Sequence, residues 1–301
     1  MNPKKNINNL VSEFKNKGYV FTNFKIESEG NYHPDDADWN DKDVLHVNHV
    51  HTNVSQIPPY IDDQICTSIQ FVIIPIIKIQ IPIIVLNYEL GKYKNIFVST
   101  MGPIVLIMEK IISGSIKQSK IEQNYYVGTK FFLKFMHYPI KKYLIKYNKF
   151  TMDEDVPMRE QRSNLRKKGH LFSKKGNTFS YLESLFLDDN NVSLENNDQY
   201  FSIDLSNITD DLIIRKEDSS IINFHILKKQ NKLVFWKSIC PHQGAYLDIN
   251  DHDKIKKCPW HGLTHESVAT VDIEEKKIEE NNNKIYKFQL NWPNLKIELR
   301  K

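Results

Sequence analysis

Cysteine is scarce in this chain. Three thiols in 301 residues are too few for a disulfide framework, so a reducing, intracellular compartment is expected, in which a cysteine that matters binds a metal or reacts. A long apolar run is missing as well. A spanning helix needs about 20 predominantly apolar residues, and the nearest approach, 69–87, is broken by Pro75, Lys78, Gln80 and Pro82. Inside it Ile77, Ile79, Ile81 and Ile83 alternate with Lys78, Gln80 and Pro82, the period-two pattern of a strand with one buried face. Met1 to Asn9 holds lysines and polar residues without the apolar core of a secretory signal, so a cytoplasmic protein is expected. There is no internal repeat. The 41 basic side chains are nearly balanced by 37 acidic ones, and no nucleic-acid module is present, so nucleic acid is not expected as a partner.

What is present divides by charge. Residues 130–175 carry 13 Lys or Arg against four acids, whereas 183–211 carry eight acids and no base. The polar stretch 173–198 reads as a linker or surface loop between a domain at 1–172 and another at 199–301. In the first, strand-like runs at 45–54, 69–74, 77–88, 96–100, 104–112 and 121–127 precede helix signals. Pro139 suits a first helical turn, with Ile140, Tyr143, Leu144 and Tyr147 recurring at helical spacing. A second helix is expected from near Pro157 to Lys168. Strands followed by a terminal helix predict an α+β domain in which a curved sheet grips the helix. Beyond 199 the chain reads as short strands and polar turns, a small all-β domain.

The segment with the most specific chemistry is Ser238-Ile-Cys240-Pro241-His242-Gln243-Gly244-Ala245, followed by Cys258-Pro259-Trp260-His261-Gly262. Each of two short loops delivers one thiolate and one imidazole, the ligand set of a 2Fe-2S cluster with two cysteines on one iron and two histidines on the other. Zinc chemistry also permits two Cys and two His, but such sites usually pair like ligands within one loop. Over about 200–300 the sequence resembles the Rieske iron-sulfur proteins. The resemblance implies that Cys240 and Cys258 bind the inner iron and that His242 and His261 bind the outer iron near the surface. The quinol-oxidising branch resembles this chain less, since its extra loop cysteines are replaced here by Ala245 and Trp260. The soluble oxygenase and ferredoxin branch is the better match. His265 stands where that branch often has an aromatic residue, either assisting proton-coupled transfer or simply exposed.

Rieske oxygenases pair the cluster with a mononuclear ferrous site of two histidines and a carboxylate, carried on Asp-x-x-His-x-x-x-x-His. Asp43-Val-Leu-His46-Val-Asn-His49-Val-His51 matches that spacing, and Glu154-Asp155-Val156-Pro157 resembles the acidic pair that supplies the third ligand. The resemblance therefore implies mononuclear Fe(II) on His46, His51 and Asp155, with Asp43 relaying electrons, in a START-like helix-grip domain. Three features oppose it. The Rieske segment comes last rather than first, the candidate catalytic domain is short, and 44–54 is rich in β-branched residues. As a strand, that stretch sends His46 and His51 to opposite faces and leaves His49 with His51. Asp155 is equally explained as a cap for a helix beginning at Pro157.

Two functions follow. One is a Rieske oxidoreductase of oxygenase type, taking electrons from a reductase or ferredoxin. The other is a Rieske electron carrier fused to a non-catalytic START-like domain that holds a hydrophobic small molecule. The basic, aromatic stretch from Phe131 to Tyr147 reads as a packed helix with a solvated basic face, or as a non-spanning contact with an anionic membrane or an acidic redox partner. Cys66, beside a strand, reads as a buried small apolar residue.

Overall fold

The computed structural model describes residues 6–62, 64–74, 79–168, 170–172, 192–194, 200–205, 224–240, 242–247, 256–281 and 286–299. The chain separates into two compact units, one of 1–163 with 173–187, the other of 164–172 with 188–301.

The first unit opens with helix α1 (Ile7–Asn16), whose Asn6 side chain caps the Asn9 amide, and strand β1 (Tyr19–Gly30). Helix α2 (Pro34–Lys42) starts from a His33 cap with Pro34 and two aspartates in its first turn. A short 3-10 turn (Val44–His46) and helix α3 (Val47–Val50) follow. Then come β2 (Val54–Ile61), β3 (Ile65–Ile74), β4 (Ile79–Gly91), β5 (Lys94–Met101), β6 (Ile104–Gly114) and β7 (Ser119–Lys130). They form one antiparallel sheet in the order β1-β7-β6-β5-β4-β3-β2. A 3-10 segment (Phe131–Met136) leads into the 31-residue helix α4 (His137–Lys167). This is the α+β helix-grip architecture expected from strands followed by a terminal helix.

The two faces of the sheet differ in chemistry because side chains alternate along each strand. On one face, Tyr88, Ile96, Val105 and Ile107 bury against Ile7, Leu10 and Val11 of α1. The other face presents Ser68, Asn87, Asn95, Lys110 and Gln123, all buried, toward α2 and α4. Those helices answer with polar groups. Arg162 and Asp36 pair at 3.1 Å, and Lys42 bridges Asp38 at 3.0 Å and Glu89 at 3.1 Å.

Two expectations require correction. The β-branched run at 45–54 is helical as far as Val50, and β2 begins only at Val54. Asn48 explains the sharp switch, because its side chain accepts from the Gln56 amide at 2.7 Å and donates to the Gln56 carbonyl at 2.9 Å, latching the helical turn to the strand. Nor does a helix begin at Pro157, which lies inside α4. Pro157 and Asp153 are both exposed, so the Asp153 carbonyl that loses its proline N–H partner faces water and the helix continues.

The second unit takes the end of α4 and strands β8 (His170–Phe172) and β9 (Val192–Leu194), which pair with each other. Most of the stretch read as a linker lies outside the described residues. Three strands, β10 (Tyr200–Asp204), β17 (Tyr286–Asn291) and β18 (Asn294–Leu299), make one sheet in the order β10-β18-β17. Four more, β11 (Phe224–Lys229), β12 (Lys232–Lys237), β15 (Ala269–Asp272) and β16 (Lys277–Glu280), make another. Their apolar faces share a core of Leu233, Phe235, Val271, Leu295 and Ile297. The hairpin β13 (Lys256–Lys257) and β14 (Thr264–His265) brackets the second Cys/His loop.

Candidate metal centres

His46 ends the 3-10 turn, His51 caps α3 and Asp155 sits in mid-α4. The helical backbone between the histidines removes the objection that a strand would part them. The Nε2 atoms of His46 and His51 lie 3.3 Å apart. Asp155 Oδ1 is 3.3 Å from the first and 3.4 Å from the second. His49, the alternative partner, is exposed.

The second ring nitrogen of each histidine shows which way its lone pair points. His46 Nδ1 donates to the Asp43 carbonyl, and His51 Nδ1 donates to Glu154 Oε2 at 2.8 Å. Both partners are acceptors only, so the proton resides on Nδ1 and each Nε2 lone pair faces the centre of the triangle. Glu154 is itself held by the Thr52 hydroxyl at 3.1 Å. Asp155 is turned the same way, since its Oδ2 takes the Arg159 guanidinium at 3.1 Å and leaves Oδ1 toward the histidines. Arg159 is fully buried and also donates from Nε to Asn40 at 2.8 Å. Burial works to raise the Asp155 carboxyl, but the Arg159 guanidinium overrides it and holds the group well below the usual carboxylate range.

A cavity of about 80 Å³ opens beside His46. Its lining includes Asp41, Asp43, Gln56, Ser68, Asn87 and Phe97. Gln56 Nε2 is committed to the Val44 carbonyl, while Gln56 Oε1 and Asn87 Oδ1 are buried with no protein partner among the described residues. Cys66 also lines it, 1% exposed, its thiol pushed up to about 12 by burial. This agrees with an inert buried cysteine.

In the second unit the two Cys/His loops are built alike. Cys240 N–H donates to the Ala245 carbonyl at 2.7 Å and Gly244 N–H donates to the Cys240 carbonyl at 3.0 Å. Cys258 N–H donates to Leu263 at 2.7 Å and Gly262 N–H donates to Cys258 at 2.8 Å. Gly244 and Gly262 occupy the same step of each loop with φ of 90° and 67°, a conformation that glycine takes without strain. The loops bring like to like. The thiols of Cys240 and Cys258 come within hydrogen-bonding reach of each other, and the rings of His242 and His261 meet edge to face with centroids 4.8 Å apart. Backbone amides of His242 and Gln243 point at the Cys240 sulfur. His265 is half-buried rather than exposed, and with His261 it reaches the Cys258 sulfur. The hydrogen bond from Cys240, then those two imidazoles, lower the Cys258 thiol against its burial. Pro241 lies outside the described residues.

Sequence reasoning missed the supports rather than the donors. Arg159, Asn40, Gln56 and Asn87 carry no motif. A signal existed for Arg159, since it stands four residues after Asp155 on the same helix face.

No protein-family model and no curated protein matches the chain. Solved structures do, at low identity. The di-domain aromatase/cyclase StfQ from the steffimycin pathway matches at 10% identity over 52% of this chain and 56% of its own, with a TM-score of 0.43. The Zhui aromatase/cyclase of Streptomyces sp. R1128 matches at 7% identity over 48% of this chain and 96% of its own, with a TM-score of 0.42. The quaternary ammonium Rieske monooxygenase CntA matches at 10% identity over 56% of this chain and 49% of its own, with a TM-score of 0.37. The chain thus spans about half the length of the di-domain cyclases and of CntA.

Proposed function

We propose that this protein is a Rieske-type oxygenase, with a 2Fe-2S cluster on Cys240, Cys258, His242 and His261 and a mononuclear ferrous ion on His46, His51 and Asp155. The observation that carries the reading is the triangle of Nε2, Nε2 and Oδ1 atoms with edges of 3.3–3.4 Å. Three atoms bound to one ion at about 2.1 Å are separated by distances of this order. Asp155 Oδ1 takes only a long 3.4 Å contact from Asn40 Nδ2, and with both Nε2 atoms unprotonated the three acceptors repel one another until a cation sits among them. Two imidazoles and one carboxylate on a single side of an ion are the donor set of oxygen-activating ferrous enzymes. In the second unit, the sorting of thiols with thiols and imidazoles with imidazoles fits a two-iron cluster better than one tetrahedral zinc.

When bound, the ferrous ion offers open positions for dioxygen and substrate, and the cluster offers a one-electron relay fed by an external reductase or ferredoxin. The chain's own residues set the geometry. The Asp43 carbonyl and Glu154 hold the histidine tautomers, and Arg159 fixes the free oxygen of Asp155. Gln56 and Asn87 line the cavity beside His46. The volume, about 80 Å³, is about half that of a 150 Å³ cavity that admits benzene.

Anaerobic reconstitution with ferrous iron and sulfide is expected to give about three irons and about two acid-labile sulfides per chain. One iron is expected to be lost in His46→Ala and in Asp155→Ala, and the visible-absorbing cluster in Cys258→Ser. Two irons indifferent to the first two substitutions would leave an electron carrier beside a non-catalytic domain. An unchanged spectrum in Cys258→Ser would remove the cluster.

A further inference from the structure

We propose that the segment joining β7 to α4 is a docking surface for an anionic lipid bilayer, which the protein touches without spanning. Phe131, Phe132, Phe135 and Tyr138 are 75%, 71%, 71% and 75% exposed, so the expectation of a packed aromatic helix fails here. Farther along, Tyr143 and Tyr147 do pack, being half-buried. Four large aromatic side chains left in water within eight residues are a surface held for something apolar. They emerge at the sheet end where Ile104 pairs with both Met101 and Thr129, and Met101 is exposed there too.

The charge around them indicates the occupant. Residues 130–152 contain six lysines and no Asp or Glu, and Lys134, Lys141 and Lys142 are exposed beside the aromatics. Aromatic rings at headgroup depth, flanked by long lysine stems that keep their ammonium groups among lipid phosphates, are how interfacial segments sit on membranes. An acidic protein partner fits less well, because lysine is depleted at protein interfaces and the three phenylalanines carry no polar handle. Among the described residues no helix is long and apolar enough to cross a membrane, which suits a surface contact through this segment.

The test is co-sedimentation of the full chain with vesicles of phosphatidylcholine containing phosphatidylserine, and with vesicles of phosphatidylcholine alone. Binding is expected to the first and to weaken as salt rises. Each lysine near an anionic surface strengthens binding about fivefold, so K134Q with K141Q and K142Q is expected to weaken it about 100-fold. F131S with F132S and F135S is expected to abolish it at any salt. All six positions are exposed, so an unchanged thermal midpoint and unchanged cluster absorption check that each variant is folded. Wild-type protein that stays in the supernatant with anionic vesicles overturns the proposal, including the case in which it instead binds an acidic redox protein. So does a phenylalanine variant that sediments like the wild type.

Discussion

Glu154→Gln isolates the second layer of the triad. The carboxylate accepts from His51 Nδ1 through Oε2 at 2.8 Å and from Thr52 Oγ1 through Oε1 at 3.1 Å. In Gln the amide oxygen can keep the His51 contact while the NH2 group donates to the Thr52 hydroxyl, and the charge is lost. What disappears is the polarisation that makes His51 Nε2 a stronger donor to a metal. Losing such an outer partner costs about 10–100-fold in metal affinity, or about 1.4–2.7 kcal/mol. The Glu154 side chain is 18% exposed, so the effect on folding without metal is small, within about 1 kcal/mol. Two measurements follow. Anaerobic competition with a chromophoric ferrous chelator is expected to show the weaker affinity directly. In thermal unfolding, the increment that ferrous iron adds to the midpoint of the helix-grip transition is expected to shrink by about 3–11 °C, at about 2–4 °C per kcal/mol. Glu160→Gln, on the same helix but away from the triad, is the control and is expected to leave both readings unchanged. An affinity for ferrous iron that is the same in Glu154→Gln as in wild type would refute the reasoning, because Glu154 would then be only a surface partner of His51.

Three further outcomes test other parts of the structure. Cys66 is held neutral, its thiol pushed up to about 12 from 9.0 by burial. At pH 8 its thiolate fraction is thus about a thousandth of an ordinary thiol's, and peptide mapping after alkylation of the folded protein should find it unmodified; labelling at the rate of a free thiol would show the strand to be open. Gly244→Ala meets both a φ of 90° and Leu165 Cδ1 at 2.6 Å from the new Cβ, whereas Gly102→Ala meets a φ of 56° and open space. Strain alone costs about 1–2 kcal/mol, so Gly244→Ala is expected to lower the thermal midpoint clearly more than Gly102→Ala, and equal losses would mean that Leu165 simply moves. Glu27 is lowered from 4.5 to about 2 by hydrogen bonds from Lys25 and Lys120. A depressed carboxylate adds stability above its unfolded pKa and loses it as pH falls through the folded one, so Glu27→Gln should flatten the acid-side stability profile between about pH 4.5 and 2. The exposed setting makes that effect small and salt-sensitive, and a profile unchanged at low salt would show that the lysine contacts contribute nothing.

How much of this was legible in the sequence depended on whether the signal was local. The Cys/His loops were, because all four candidate ligands and both glycines lie in two short segments. The strands of the large sheet were, where isoleucine and valine alternate with polar residues. Helix α2 was not recognised: Asp36, Asp38 and Asp41 look like a surface loop, and only the partners Arg159, Arg162, Lys42 and Lys110, mostly far away in sequence, make their burial tolerable. The inward stripe of α4 was hidden for the same reason. Asn148, Met152, Asp155, Arg159 and Arg162 recur at helical spacing and are all buried, yet a search for apolar periodicity passes over them. Asp155 was found through a motif, whereas Gln56 and Asn87, single polar residues on strands, had no pattern to betray them.

The division of the sheet into an apolar and a polar face explains why so costly a site can persist. Buried ion pairs seldom add net stability, since desolvation consumes most of the Coulombic gain, and the seam between α2 and α4 contains several. Removing one partner is far worse, at about 3–5 kcal/mol, because its counter-ion is left buried and unpaired. The seam is therefore a structure in which each charge fixes the next: Lys110 and Arg159 hold Asp41, Arg159 holds Asp155, and Asp155 faces the histidines. Such a chain gives Asp155 a single orientation, which an apolar seam of equal stability could not do. The stability it forgoes is supplied on the opposite face, where α1 buries Ile7, Leu10 and Val11 against Tyr88, Ile96 and Ile107. Substitutions on the α1 face should accordingly act on folding alone, while those on the α2–α4 seam should act on folding and on metal affinity together.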